Sequence, residues 1–275
     1  ILEQVDLESA GFTKNKLASK IYNAIGTNLT KCILKADLVV VTISKYVDVL
    51  GEKYKSKNVS LIPHGSFEKT QTPNFNLPAG PKKVMAFGKF GTYKKVEILI
   101  EAIEIIRQKS SEAIEIVIAG TNSPNTPGYL ESVQEKYAHV PGITFTGYVE
   151  ENEVQNIFND SAMVVFPYTS TTGSSGVLHQ AGSYGKAVVM PDLGDLSLLV
   201  KEEGYQGEFF NPECAESLAA AIEAILNDNE YRIRLATTNY RAASALSMDK
   251  IVGMYLRSFR QIEYSKLEKK LVGNV

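Results

Sequence analysis

Cysteine is scarce. The 275 residues hold two, Cys32 and Cys214, far apart in the chain. They make neither a metal-binding spacing nor a disulfide framework, and fit a reducing compartment. Histidine is nearly as thin, with His64, His139 and His179 scattered along the chain. No carboxylate pair has metal-ligand spacing either, so no metal site is expected. The formal net charge is only -2, which gives no global field to recruit nucleic acid. No apolar run approaches the ~20 residues that span a bilayer, and no signal peptide is visible. Ile1 opens in mid-pattern, and the expectation is a chain truncated in its N-terminal domain.

What is present is ordinary for a soluble α/β protein: 44% hydrophobic and 22% charged residues, enough chain for one large domain or two modest ones. Short, β-branched, nearly continuous apolar runs recur at 38–43, 59–63, 83–88, 114–120, 143–147, 162–167 and 186–190. Strands buried on both faces of a parallel sheet read this way. Amphipathic stretches alternate with them. In "VEILIEAIEIIRQ" the pattern places Ile98, Leu99, Ala102, Ile103 and Ile106 on one face, with Glu97, Glu101 and Glu104 largely outside. Such alternation predicts right-handed βαβ units: an α/β fold with a doubly wound, Rossmann-like parallel sheet.

The stretch 64–82 has no sustained periodicity and carries Pro73, Pro78 and Pro81, and reads as a linker. Residues 1–63 then form part of an N-terminal α/β domain, with two helices, a strand, a helix and a strand. Residues 83–245 form a complete doubly wound domain. Residues 246–275 carry a long helix ending in lysines, as its C-terminal dipole favours.

Such a sheet binds ligands beyond the carboxyl ends of its strands. "GKFGTYKK" after the first strand of the large domain lacks the dinucleotide pattern G-x-G-x-x-G. Gly185 and Lys186 fail as a P-loop, because Ala187 follows and Gln180 stands where the first glycine belongs. "GSSG" is one residue short of a nucleophile elbow, and no histidine follows His179. Two loops remain. One holds Lys89, Lys94 and Lys95. The other, "TTGSSGV", opens a helix near Ser175 and offers unpaired N–H groups at Ser175, Gly176 and Val177. Each feature has a plainer reading: solvated lysines, a helix cap, His64 in a turn, His179 packed within a helix. In one fold, together, they point to a diphosphate site.

The motifs also carry a resemblance. Residues 83–245 resemble the donor-binding domain of family-4 retaining glycosyltransferases of the GT-B fold. Gly88, Lys89, Lys94 and Lys95 before "LIEA" are similar to the family's G-R-x-x-x-x-K-G, and "TTGSSGVLHQAGSYGKAVV" looks like its E-G-F-G-x-x-x-x-E-A signature. The resemblance implies that Lys89 and Lys94 meet the diphosphate as leaving-group stabilisers. It implies that the backbone at Tyr148 and Val149 holds the base edge. Thr172, Gly173, Ser174, Ser175, Gly176 and Val177 would cradle the β-phosphate and sugar, and Gln180 the ribose. Thr172 and Gln180 stand where the family has glutamates, and Lys89 where it has arginine, losing a bidentate fork.

The implied reaction is transfer of a sugar, with retention, from a UDP-sugar, UDP-glucose for preference, to a glycan or lipid-linked acceptor in polysaccharide or glycoconjugate synthesis. The UDP-sugar is a co-substrate; no cofactor, metal or nucleic acid is expected. The expected setting is the cytoplasm or its membrane surface, with peripheral membrane contact through the missing part. A nucleotide-sugar-binding module without transfer, and a GT-B sugar-nucleotide epimerase, are the alternatives.

Overall fold

The computed structural model describes residues 16–66, 72–170 and 175–272. They fall into two compact units. The smaller holds the described residues up to 65 and from 246 onward. Its chain runs through α1 (Lys16–Ile33), β1 (Val39–Val41), α2 (Ser44–Tyr54) and β2 (Val59–Leu61), and closes with α10 (Met248–Val272). β1 and β2 pair in parallel. Val40, Ile62 and Ile251 form its buried centre, with Leu38, Leu246, Met254 and Tyr255 packed around them. One helix precedes β1 among the described residues. The rest of the stretch expected to hold a second helix, 1–15, lies outside them.

The larger unit is a six-stranded, wholly parallel sheet. Its elements are β3 (Lys82–Phe90), α3 (Glu97–Arg107), β4 (Ile114–Asn122), α4 (Tyr129–Lys136), β5 (Ile143–Gly147), α5 (Glu151–Asp160), β6 (Met163–Val165), α6 (Gly176–Ser183), β7 (Ala187–Pro191), α7 (Gly194–Glu203), β8 (Glu208–Phe210), α8 (Ala215–Leu226) and α9 (Asn229–Ala245). The spatial order is β5-β4-β3-β6-β7-β8. The chain builds outward from β3 in one direction, returns beside it, and builds outward in the other. That is the doubly wound order, with its switch point between β3 and β6. Every residue of β6 and β7 is buried, as the continuous apolar runs require, because helices cover both faces.

Three details differ from the sequence reading. The sixth strand, β8, was not expected: it is only three residues long and lies at the sheet edge. On α3 the buried positions are Leu99, Ile100, Ala102, Ile103 and Ile106. Ile98 is only partly buried, so the helix turns Ile100 inward instead, and α8 packs against it. Finally, the described part of the proline-bearing stretch, Ser66 and 72–82, packs within the larger unit. The Phe75 carbonyl accepts a hydrogen bond from Arg232 at 2.7 Å, and Leu77 lies against the main core. Without periodicity its described residues form no helix, but Phe75 and Leu77 still find a surface. No described helix is long and apolar enough to cross a membrane.

Candidate functional site

The loops after β3 and β6 leave the sheet at its switch point, and backbone hydrogen bonds lace them together. Lys95 N–H donates to the Pro167 carbonyl at 2.8 Å, and Thr169 N–H to the Tyr93 carbonyl at 2.8 Å. Lys94 forms isolated bridges with Gly91 and Tyr168. The lacing fixes the Lys94 backbone and turns its side chain inward.

Lys94 is buried, at 9% exposure. Its Nζ lies 4.8 Å from the centre of the Tyr168 ring and 5.8 Å from that of Tyr93. Those faces attract a cation, but they replace water poorly. Burial pushes the ammonium down to about 8. Lys186, the other lysine buried among the described residues, shows the contrast. It donates to the carbonyls of Asn159 and Ser161 at 3.2 and 3.0 Å, so its hydrogen-bonding capacity serves the fold. Among the described residues the Lys94 ammonium has no hydrogen bond and no carboxylate partner. A buried charge without a partner is costly, and a bound anion would supply one.

Two glycines make room for that ammonium. Gly88 is the last-but-two residue of β3, with φ +127°, and a Cβ there would stand 3.0 Å from Lys94 Nζ and 3.8 Å from Val177 Cγ2. The ammonium, the Gly88 backbone and the first turn of α6 therefore meet at one point. Gly88 pairs with Gly120 of β4. A Cβ on Gly120 would fall 1.8 Å from the Gly88 carbonyl oxygen, so only glycine lets the two strand ends approach.

Ser175 is the N-cap of α6, with extended backbone and no side-chain cap bond. The Leu178 and His179 N–H groups return to its carbonyl at 2.9 and 3.4 Å. The N–H groups of Gly176 and Val177 precede that bonding and have no partner among the described residues. A helix N-terminus of this kind, next to a desolvated ammonium, presents positive charge and free donors that would suit an anion.

Lys89 is exposed near the end of β3. Tyr148, at 72% exposure, and half-buried Val149 follow β5 on the same edge of the sheet. Gln180 is half-buried on α6. Thr172, Gly173 and Ser174 lie outside the described residues. Lys95 is set apart, its Nζ 4.8 Å from the centre of the Tyr129 ring. The two tyrosines beside Lys94 and the partnership of Gly88 with Gly120 were not anticipated. "TYKK" and "FPY", and a strand run ending in glycine, were the only signals.

Behind α6 sits a second polar cluster. His179 Nδ1 lies 2.8 Å from the Tyr205 hydroxyl, and His179 Nε2 lies 3.6 Å from Glu203 Oε2. Neither Glu203 oxygen accepts a hydrogen bond from the described residues. Burial, then the neighbouring Glu202 charge, pushes the Glu203 carboxyl up to about 8. An unfolded Glu titrates near ~4.3. Between these values the folded chain holds a proton that the unfolded chain has lost, so stability falls as pH rises through the window and levels off above about 8. Glu203→Gln removes this ionisation. Its melting temperature relative to the parent is expected to climb between about pH 5 and about pH 8 and then hold steady. A difference independent of pH in thermal melts would show that the carboxyl is not held protonated.

The sheet order, with its switch point between β3 and β6, defines a doubly wound α/β protein, a class that holds ligands beyond the carboxyl ends of its strands. The chain belongs to the group 1 glycosyl transferases: residues 81–228, over half of its length, match that family. No curated protein matches it by sequence. In solved structures the fold recurs, of the GT-B type. Sucrose-phosphate synthase from Thermosynechococcus elongatus is similar at 20% identity and a TM-score of 0.75, over 96% of this chain and 67% of that one. HepE from Anabaena, solved with UDP and glucose, is similar at 16% identity and a TM-score of 0.73, over 94% of this chain and 70% of that one. TarM from S. aureus, solved with fondaparinux, alpha-GlcNAc-glycerol and UDP, is similar at 17% identity and a TM-score of 0.66. The chain spans 90% of itself and 48% of TarM in that match.

Proposed function

We propose that the chain transfers a sugar from a UDP-sugar, UDP-glucose for preference, to a glycan or lipid-linked acceptor, with retention of anomeric configuration. The observation that carries this reading is the Lys94 ammonium, desolvated and without an anionic partner among the described residues, beside Gly88 and the open first turn of α6. Breaking the bond between the sugar and the diphosphate leaves negative charge on the leaving oxygen. An ammonium and N–H groups already aimed at that oxygen stabilise the transition state without reorganisation. Lys89 adds a second charge at the strand end. Gln180 hydrogen-bonds the ribose, and the backbone at Tyr148 and Val149 reads the uracil edge. Among the described residues no side chain of the site offers a nucleophile, and the reading is a front-face substitution. UDP in the solved HepE and TarM structures supports a uridine donor.

Calorimetry with UDP, ADP and GDP tests the donor, and NMR of the product tests retention. UDP is expected to bind about tenfold more tightly than either competitor, or ~1.4 kcal/mol. Gly176→Pro deletes one N–H at a helix position where proline fits, after a residue whose extended backbone suits it. It is expected to weaken UDP at least about tenfold, as loss of a bond to a charged group does, with circular dichroism unchanged. Tighter ADP or GDP would overturn the uridine assignment. Parent-like UDP affinity in Gly176→Pro would leave α6 with no phosphate role. A nucleotide-sugar-binding module without transfer is the second reading, favoured by Gln180 standing where the resemblance places a carboxylate. UDP binding without product formation on full-length protein would favour it.

A further inference from the structure

α6 is an unusual helix on which to build a site. It has eight residues, and its buried positions are Leu178, His179, Ala181, Gly182 and Ser183. Only Leu178 brings a large apolar group. Apolar contact is non-directional, and one leucine does little to fix the rotation of a short helix. Polar contacts are directional, and α6 has several. Ser183 Oγ donates to the His179 carbonyl at 2.8 Å and pairs with the Ser66 hydroxyl. The His179 ring meets Tyr205 edge to face, with centroids 5.6 Å apart, and its Nδ1 hydrogen-bonds the Tyr205 hydroxyl. Glu203 closes the other side of the ring.

The partner wall is itself pinned. Tyr205 N–H donates to the Val200 carbonyl at 2.9 Å, and Gln206 N–H to Asn239 Oδ1 of α9 at 2.8 Å. His179 is one turn into α6, and its own N–H reaches back to the Ser175 carbonyl. Any shift of the ring is therefore passed to the N-cap. The cluster also costs stability, because an apolar trio of similar volume would fill the space without burying a carboxyl.

We propose that His179, Tyr205 and Glu203 are positioning residues for nucleotide binding: their cluster sets the rotation of α6, and hence the aim of the Gly176 and Val177 N–H groups. The inference rests on α6 being the diphosphate-binding helix. It extends that site by a layer some residues away from any phosphate contact.

The test is calorimetry with UDP on the full chain, alongside thermal melts, for Tyr205→Phe, His179→Phe, the double variant, His179→Gln and, as reference, Lys94→Ala. Tyr205→Phe removes one oxygen and keeps the ring. It is expected to raise the UDP Kd about 3- to 10-fold, in the range of a lost neutral hydrogen bond, at temperatures where the protein is fully folded. The double variant should bind no more weakly than the weaker single one, since coupled partners are non-additive. His179→Gln, which keeps a polar partner for Tyr205, should recover part of the loss. If Lys94→Ala weakens UDP but Tyr205→Phe and His179→Phe bind it like the parent, the cluster is only core and the proposal is overturned while the diphosphate site stands. If the parent binds no UDP, or Lys94→Ala has no effect, the diphosphate reading falls and takes this proposal with it. Should His179→Phe fail to fold, Tyr205→Phe alone decides.

Discussion

Gly120→Ala is expected to lower the stability of the larger unit by ~3 kcal/mol or more. Two causes add. The residue holds φ +137°, a region that side chains enter at a cost of about 1–3 kcal/mol. The new Cβ would also sit 1.8 Å from the Gly88 carbonyl oxygen, an overlap with backbone that no rotamer relieves. Overpacking adds about 1–3 kcal/mol, and β3 and β4 must separate at their carboxyl ends. For a unit of this size the melting temperature should fall roughly 6–12 °C. UDP binding should fall as well, because the strand end that moves carries Gly88, against which Lys94 is packed. Gly194→Ala is the control. Gly194 has open space around it at the start of a helix, and its substitution should be near neutral. Equal melting temperatures for the two variants would mean that the close approach of the strands can be relaxed freely.

Lys94→Ala is expected to weaken UDP by about 1.5–3 kcal/mol, the range for hydrogen bonds to charged groups, or roughly 10- to 100-fold. Lys94→Met keeps the stem between Tyr93 and Tyr168 and should lose nearly as much, which separates charge from packing. The parent should also show a pH dependence. With the ammonium held down to about 8, its protonated form prevails below that pH and declines above it. Only that form attracts a diphosphate, so UDP affinity should fall as pH rises through about 8. In Lys94→Met that decline should be reduced. An affinity that is flat with pH in the parent, or unchanged in both variants, would remove Lys94 from the site.

The two variants act on features of different legibility. The strand runs, the helices between them and the loops after the first and fourth strands of the larger unit could all be read along the chain. Their signals are local: a strand covered by helices on both faces is apolar throughout, and a helix N-terminus is announced by small residues before it. β8 escaped because three residues at a sheet edge carry too little pattern. Ile100 rather than Ile98 faces inward because α8 lies on that side, and nothing within α3 says so.

By itself the sequence determined an α/β chain with a parallel sheet, the two loops at its switch point on which the diphosphate proposal rests, and the lysines and glycines in them. Only the tertiary structure decided which lysine is desolvated, since Lys94 and Lys95 are neighbours and differ in the rings they meet. It decided that Gly88 and Gly120 share one space, because register between β3 and β4 exists only once the sheet has formed. It also joined His179 to Glu203 and Tyr205 behind α6. Burial, register and the distance between charges are set by residues remote in the chain, and so they emerge only when the chain has folded.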